Sequence, residues 1–150
     1  MPLTPPDPDF ESRTRASFAK QAAMATIGAR LARVAPGEVH IDLPFREDLT
    51  QQHGFIHAGI LATVLDSACG YAAFTLMPAD AGVLSIEFKV NLLAPAHGDV
   101  IRVRSRVVRA GRTISVCTAD AFAARDGQER HVTTMTATMM TVTGRDNVTG

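Results

Sequence analysis

The chain has 150 residues, 46% hydrophobic and 20% charged, enough for one domain with a single core and unsuited to disorder or a fibrous repeat. Fifteen Lys+Arg balance fifteen Asp+Glu, which removes any whole-domain electrostatic argument for nucleic acid or an anionic membrane as partner. Two cysteines, Cys69 and Cys117, stand far apart without metal-ligand spacing or disulfide density, so a reducing, cytoplasmic compartment and no metal are expected.

The first residues, Met-Pro-Leu-Thr-Pro-Pro-Asp-Pro-Asp, lack the basic and apolar regions of a signal peptide, and residues 1–14 read as a loose arm. The stretch from Arg15 to Ile27 carries Phe18, Ala22 and Ala25 at helical spacing and predicts a short amphipathic helix. From Ala29 to Leu43, Val39, Ile41 and Leu43 alternate with His40 and Asp42 after a Pro36-Gly37 turn, which predicts a two-stranded hairpin. Beyond a polar segment, Ile56 to Met77 is almost wholly apolar with Asp66 as its only charge. That is the pattern of a buried helix, closed by Pro78 and the Asp80-Ala81-Gly82 cluster. The longest nearly apolar run, Phe55 to Leu65, falls well short of the roughly 20 residues that span a bilayer.

Four strands follow: Val83 to Leu93, a second with Ile101, Val103, Ser105 and Val107 on one face and arginines on the other, Arg112 to Ala124, and His131 to Val142. Residues 15–143 therefore form one α+β domain, an antiparallel sheet around a long helix with a short helix before it, and 144–150 form a tail. One sheet covers one side of a helix. The apolar second side needs a lid, a ligand or another subunit, and a homodimer is the commonest answer.

Chemistry concentrates at and inside that helix. Around His57-Ala58-Gly59 it begins, and backbone N–H groups there lack intrahelical partners and carry the positive end of the dipole, suited to polarising a carbonyl. Asp66 is costly in an apolar helix unless it is paired, across an interface for example, or functional. Gly59, Ala62, Thr63, Gly70 and Ala73 share its face and leave room for a slender ligand or a close partner. Ala58 and Asp66 are eight positions apart, roughly 12 Å along a helix, so one carbonyl cannot touch both within a single chain. A shared reaction needs the donor from one subunit and the carboxylate from its mate.

The pattern Gln51-x-x-Gly54-x-x-His57-Ala58-Gly59, with Asp66-Ser67-Ala68, Gly70-Tyr71-Ala72, Ser85-Ile86-Glu87-Phe88, Pro95 and Gly111-Arg112-Thr113, resembles the hotdog-fold acyl-CoA thioesterases of the phenylacetate-pathway (PaaI-like) and 4-hydroxybenzoyl-CoA type. The likeness covers roughly residues 27 to 142. Ala58 stands where that family usually has the first Gly of His-Gly-Gly, and Gln51 where Asn is more frequent; a backbone donor needs no particular side chain.

The resemblance implies a cofactor-independent thioester hydrolase. Gln51 and His57 position the thioester, the Ala58 N–H polarises its carbonyl, Asp66 of the partner attacks it or activates water, and Ser85 assists. Gly54, Gly59, Thr63, Gly70, Arg112 and Thr113 are the substrate-binding expectations, and a homodimer pairing further into a tetramer is the implied assembly. Among the local concentration of Arg102, Arg104, Arg106, Arg109 and Arg112, the last is the better candidate for the phosphates of CoA; the first three also fit a solvated strand face. Tyr71, Phe74 and Phe88 suggest an aromatic or medium-chain acyl group, and Met135, Met139 and Met140 suit the core or an acyl pocket. The rival reading is a non-catalytic acyl-CoA or lipid-binding module of the same fold.

Overall fold

A computed structural model describes residues 2–150. Two short helices, α1 (Phe10–Lys20) and α2 (Ala22–Ile27), precede the hairpin β1 (Arg30–Ala35) and β2 (Glu38–Pro44). A 3-10 turn at Glu47–Leu49 leads to the long helix α3 (Ala58–Phe74), then β3 (Gly82–Leu92), β4 (Val100–Ala110), β5 (Ile114–Arg125) and β6 (Gln128–Val142). The six strands form one sheet in the order β1-β2-β4-β5-β6-β3, every neighbouring pair antiparallel. This is the expected architecture, with α3 lying against the sheet and packing on β2 through β6.

The N-terminal reading needs correction. In place of a loose arm over residues 1–14 and one helix from Arg15 to Ile27, helix α1 begins at Phe10 and the chain breaks at Gln21, whose backbone is extended. The early start of α1 has its reason in Arg13. Its guanidinium pairs with the buried Asp7 carboxylate at 2.9 Å, donates to the carbonyls of Phe74, Met77 and Pro78, and lies 4.2 Å from the centre of the Phe74 ring. A cation that donates to carbonyls at and just beyond the end of α3 also opposes the negative end of its dipole, so residues 7–14 are tied down.

Elsewhere the alternation holds. Ile101, Val103 and Ser105 of β4 point into the core while Arg102, Arg104 and Arg106 are exposed, the first two pairing with Glu129 of β6 at 3.2 and 2.7 Å. Val64, Leu65, Ala68 and Ala72 of α3 are fully buried in the cluster that contains Val39, Ile41, Leu43, Cys117, Ala119, Met135 and Met139. The Ser105 hydroxyl reaches the Ala68 carbonyl at 2.7 Å, and the Gly37 N–H of the hairpin turn donates to Thr75 Oγ1 at 2.8 Å, which fixes helix to sheet at two polar points.

Two surfaces depart from this closure. The N-terminal half of α3 keeps Gly59 exposed and Ile60, Ala62, Thr63 and Asp66 half-buried. Beside it β3 is an edge strand, paired only to β6, and it exposes Leu84 (45%), Ile86 (54%), Phe88 (44%) and Leu92 (56%). A long apolar edge with unpaired N–H and C=O groups is a template for another chain.

Candidate active site

Helix α3 starts where His57 leaves the extended backbone and caps it: the ring Nδ1 accepts from the Gly59 N–H at 2.9 Å. A Cβ on residue 59 would sit 3.1 Å from that nitrogen, so glycine leaves the cap uncrowded. With Nδ1 engaged as acceptor, the neutral ring carries its proton on Nε2, an outward donor. The Ala58 N–H has no hydrogen-bond partner among the described residues, as expected for the first residue of a helix.

Gln51 sits in the loop before this cap, its Oε1 accepting from the His53 and Phe55 backbone N–H groups. That leaves the amide N–H2 as the free end. Gln51, His57 and Ala58 line one cavity of about 470 Å³ whose far wall is Leu92, Leu93 and Pro95.

Asp66 stands two turns further along α3, and its Oδ1 accepts from the Ser85 hydroxyl of β3 at 2.7 Å. Ser85 also lies 3.4 Å from the Met139 sulfur, which holds the side chain against the sheet. The second carboxylate oxygen has no partner among the described residues. Asp66, Ser85, Ser67, Gly70 and Tyr71 line a second, smaller cavity of about 230 Å³ that shares no residue with the first. The structure thus gathers Gln51, His57 and Ala58 at the start of α3 and Asp66, Gly70 and Ser85 further along it.

A model of the "Thioesterase superfamily" matches residues 53–130, the segment that carries His57, Ala58, Asp66 and Ser85. The chain belongs to the thioesterase superfamily. A thioesterase family protein from Silicibacter pomeroyi has a solved structure that superposes with a TM-score of 0.89 at 56% identity, covering 90% of this chain and 99% of that one. The PaaI protein of the E. coli phenylacetic acid degradation operon shares the fold, with a TM-score of 0.81 at 17% identity over 91% of this chain and 95% of its own. Human acyl-coenzyme A thioesterase 13 is 28% identical over 91 residues, 60% of this chain. The chain spans 64% of the length of that relative.

Of the other expected positions in this superfamily member, Gly54 lies on the far side of the Gln51 loop, in a cavity with Phe45, Thr50 and His97. Thr63 turns its hydroxyl back to the Gly59 carbonyl at 2.8 Å. Arg112 and Thr113 form the exposed β4–β5 turn and line neither cavity of the α3 face. That turn joins the same end of the sheet as Ser85, since the Thr141 N–H donates to the Thr113 carbonyl and Thr141 pairs with Val83. Both cysteines are buried, and burial pushes their thiols up, Cys117 to about 12, so neither is a thiolate nucleophile. Among the described residues no group of three or more His, Cys, Asp or Glu is arranged to hold a metal ion, and no helix is long and apolar enough to cross a membrane.

Sequence reasoning passed over Ser17 and Gln21, which reach from α1 and the α1–α2 break into the Asp66 cavity. Their four-residue spacing on a helix was the available signal.

Proposed function

We propose that this protein hydrolyses acyl-CoA thioesters in sites built from two subunits. Superfamily membership and the acyl-coenzyme A thioesterase relative support the substrate class. The observation that carries the reading is the pair of incomplete half-sites on one helix: a free N–H donor at Ala58, and eight residues on, a carboxylate oriented by Ser85. At roughly 12 Å apart along α3 they are too distant to serve one carbonyl within a chain. An antiparallel twofold arrangement of two α3 helices brings the donor of one chain to the carboxylate of the other.

In that site the thioester oxygen accepts from the Ala58 N–H, with His57 and the Gln51 amide orienting the carbonyl. The partner's Asp66 takes a proton from water as its oxygen bonds to the carbonyl carbon, or itself forms an anhydride that water then opens. Either way the carbon–sulfur bond breaks, the acid leaves with the water oxygen, and the CoA sulfur takes up a proton. The Ala58 donor stabilises the oxyanion formed on the way, typically a contribution of about 10²–10³ in rate. Arg112, at the end of the sheet beside Ser85, binds CoA phosphate.

The exposed edge of β3 is the second element of the dimer. Pairing centred on Phe88 sets Glu87 against the partner's Lys89 twice and buries the Phe88 rings together. The pattern is self-complementary in charge, and it covers the apolar edge that a lone chain leaves in water.

The test is release of free thiol from a panel of acyl-CoAs by the pure protein. Turnover that disappears in Asp66→Ala is expected. Full turnover in that variant contradicts the mechanism, and tight acyl-CoA binding with no thiol release in the native protein favours a non-catalytic binding module.

A further inference from the structure

The loop that carries Gln51 is held at its neck and unsupported by hydrogen bonds at its tip. At the neck the Ile56 N–H donates to the Ala96 carbonyl at 2.9 Å and the His57 N–H to the Leu49 carbonyl at 3.0 Å. Beyond it, residues 51–55 hydrogen-bond only to one another among the described residues. The Gln51 N–H donates to the Phe55 carbonyl, the Gly54 N–H donates to the Gln51 carbonyl, and Gln51 Oε1 accepts from the His53 and Phe55 N–H groups. Gln51 also stands between two spaces: the cavity it shares with Ala58, and another of about 410 Å³ behind the loop, beside Phe45, Thr50, Gln52 and His97. The second gives the loop room to retreat. What opposes retreat is the His97 ring, 5.1 Å from the Phe45 ring at a tilt of 57°, and 6.3 Å from the Phe55 ring, edge-on at 89°. Phe45 packs against the core, and the backbone on both sides of His97 is fixed, since the Ala96 carbonyl accepts from Ile56 and the Asp99 carbonyl accepts from the Phe45 N–H at 3.0 Å. A line of contact therefore runs from the core through Phe45 and His97 to Phe55, and from Phe55 through two hydrogen bonds to Gln51.

Resting on the thioesterase reading, we propose that His97 is a positioning residue for Gln51: its ring braces Phe55 and so keeps the Gln51 amide beside the Ala58 donor. His97 does not line the donor cavity, so it acts through Phe55 and Gln51 and touches no reacting atom. The aromatic ring is the working part, and its charge is not. Without the ring the tip of the loop moves back into the space behind it, and the amide leaves the carbonyl it orients. Lost orientation is felt chiefly in the transition state, so the effect falls on kcat and spares KM. The side chain is exposed, so its removal costs the fold little.

The experiment is a double-mutant cycle of His97→Ala and Gln51→Ala, with His97→Phe as the variant that keeps a ring, read as kcat and KM on the best substrate of an acyl-CoA panel. His97→Ala should lower kcat per folded molecule about tenfold, with KM within about twofold and Tm within a few degrees of the native values. His97→Phe should recover most of the rate, both below and above the pH at which a histidine titrates. In the Gln51→Ala background, His97→Ala should have no further effect, because the group it positions is already gone. An unchanged kcat in His97→Ala overturns this inference. So does the same tenfold loss with and without Gln51, which would mean that the ring supports something else, and so does a His97→Phe variant as slow as His97→Ala. Each of these results leaves the thioesterase reading intact. Absence of hydrolysis by the native protein on every acyl-CoA overturns the parent reading and this one with it.

Discussion

The two halves of α3 are both largely apolar and do different work. From Ser67 to Phe74 every residue is buried, enclosed by the sheet, by α1 and by the Arg13 guanidinium at its end. From Ala58 to Asp66 only the sheet-facing Leu61, Val64 and Leu65 are buried, and the other side stands open next to the apolar edge of β3. The C-terminal half is an anchor whose contacts lie within the chain. The N-terminal half carries the free N–H and the carboxylate, and in the proposed function a second chain completes it.

That contrast is testable by substitutions that strike one half and spare the other. The largest effect is expected for Asp66→Ala: removal of the base or nucleophile lowers kcat by about 10²–10⁴, with Tm nearly unchanged because the side chain is only half-buried. The converse is Arg13→Met at the other end of the helix. It leaves the buried Asp7 carboxylate without its cation and the Met77 carbonyl without a donor, and should cost about 3 kcal/mol of stability in a denaturant titration while leaving kcat per folded molecule intact. Ala58→Pro is the sharpest probe of the donor. Proline is favoured at the first helical position, and His57 before it is already extended (φ −60, ψ 138), so the fold is retained while the N–H is deleted. A fall in kcat/KM of about 10²–10³ without loss of Tm is expected. The smallest effect belongs to the edge. Glu87→Lys should weaken dimerisation in sedimentation by about 1 kcal/mol, and adding Lys89→Glu should restore it.

Much of this molecule is legible in its residue pattern because the signals are local. Period-two alternation marks β4 and β6, the Pro36-Gly37 turn marks the hairpin, and an apolar run with one charge marks α3. The loop-to-helix segment from Gln51 to Asp66 stands out for the same reason. Long-range pairings do not announce themselves in this way. Asp7 and Arg13 look like solvated charges until the end of α3, some sixty residues later, is brought to them. The break at Gln21 is equally invisible, since nothing in Lys20-Gln21-Ala22 disfavours a helix; it follows from packing α1 and α2 on different parts of the core. Asp66 is conspicuous in sequence, yet its link to Ser85 depends on β3 returning along the far edge of the sheet, beside β6.

Subunit complementation tests the central claim most directly. Ala58→Pro and Asp66→Ala, each inactive alone, are unfolded, mixed in equal amounts and refolded together. A shared site regenerates one intact pairing in each mixed dimer, the native Ala58 donor of one chain facing the native Asp66 of the other. Half of the dimers are mixed, so activity should return to about a quarter of that of the native protein. A mixture that stays as inactive as its components, although mixed dimers have formed, would contradict it.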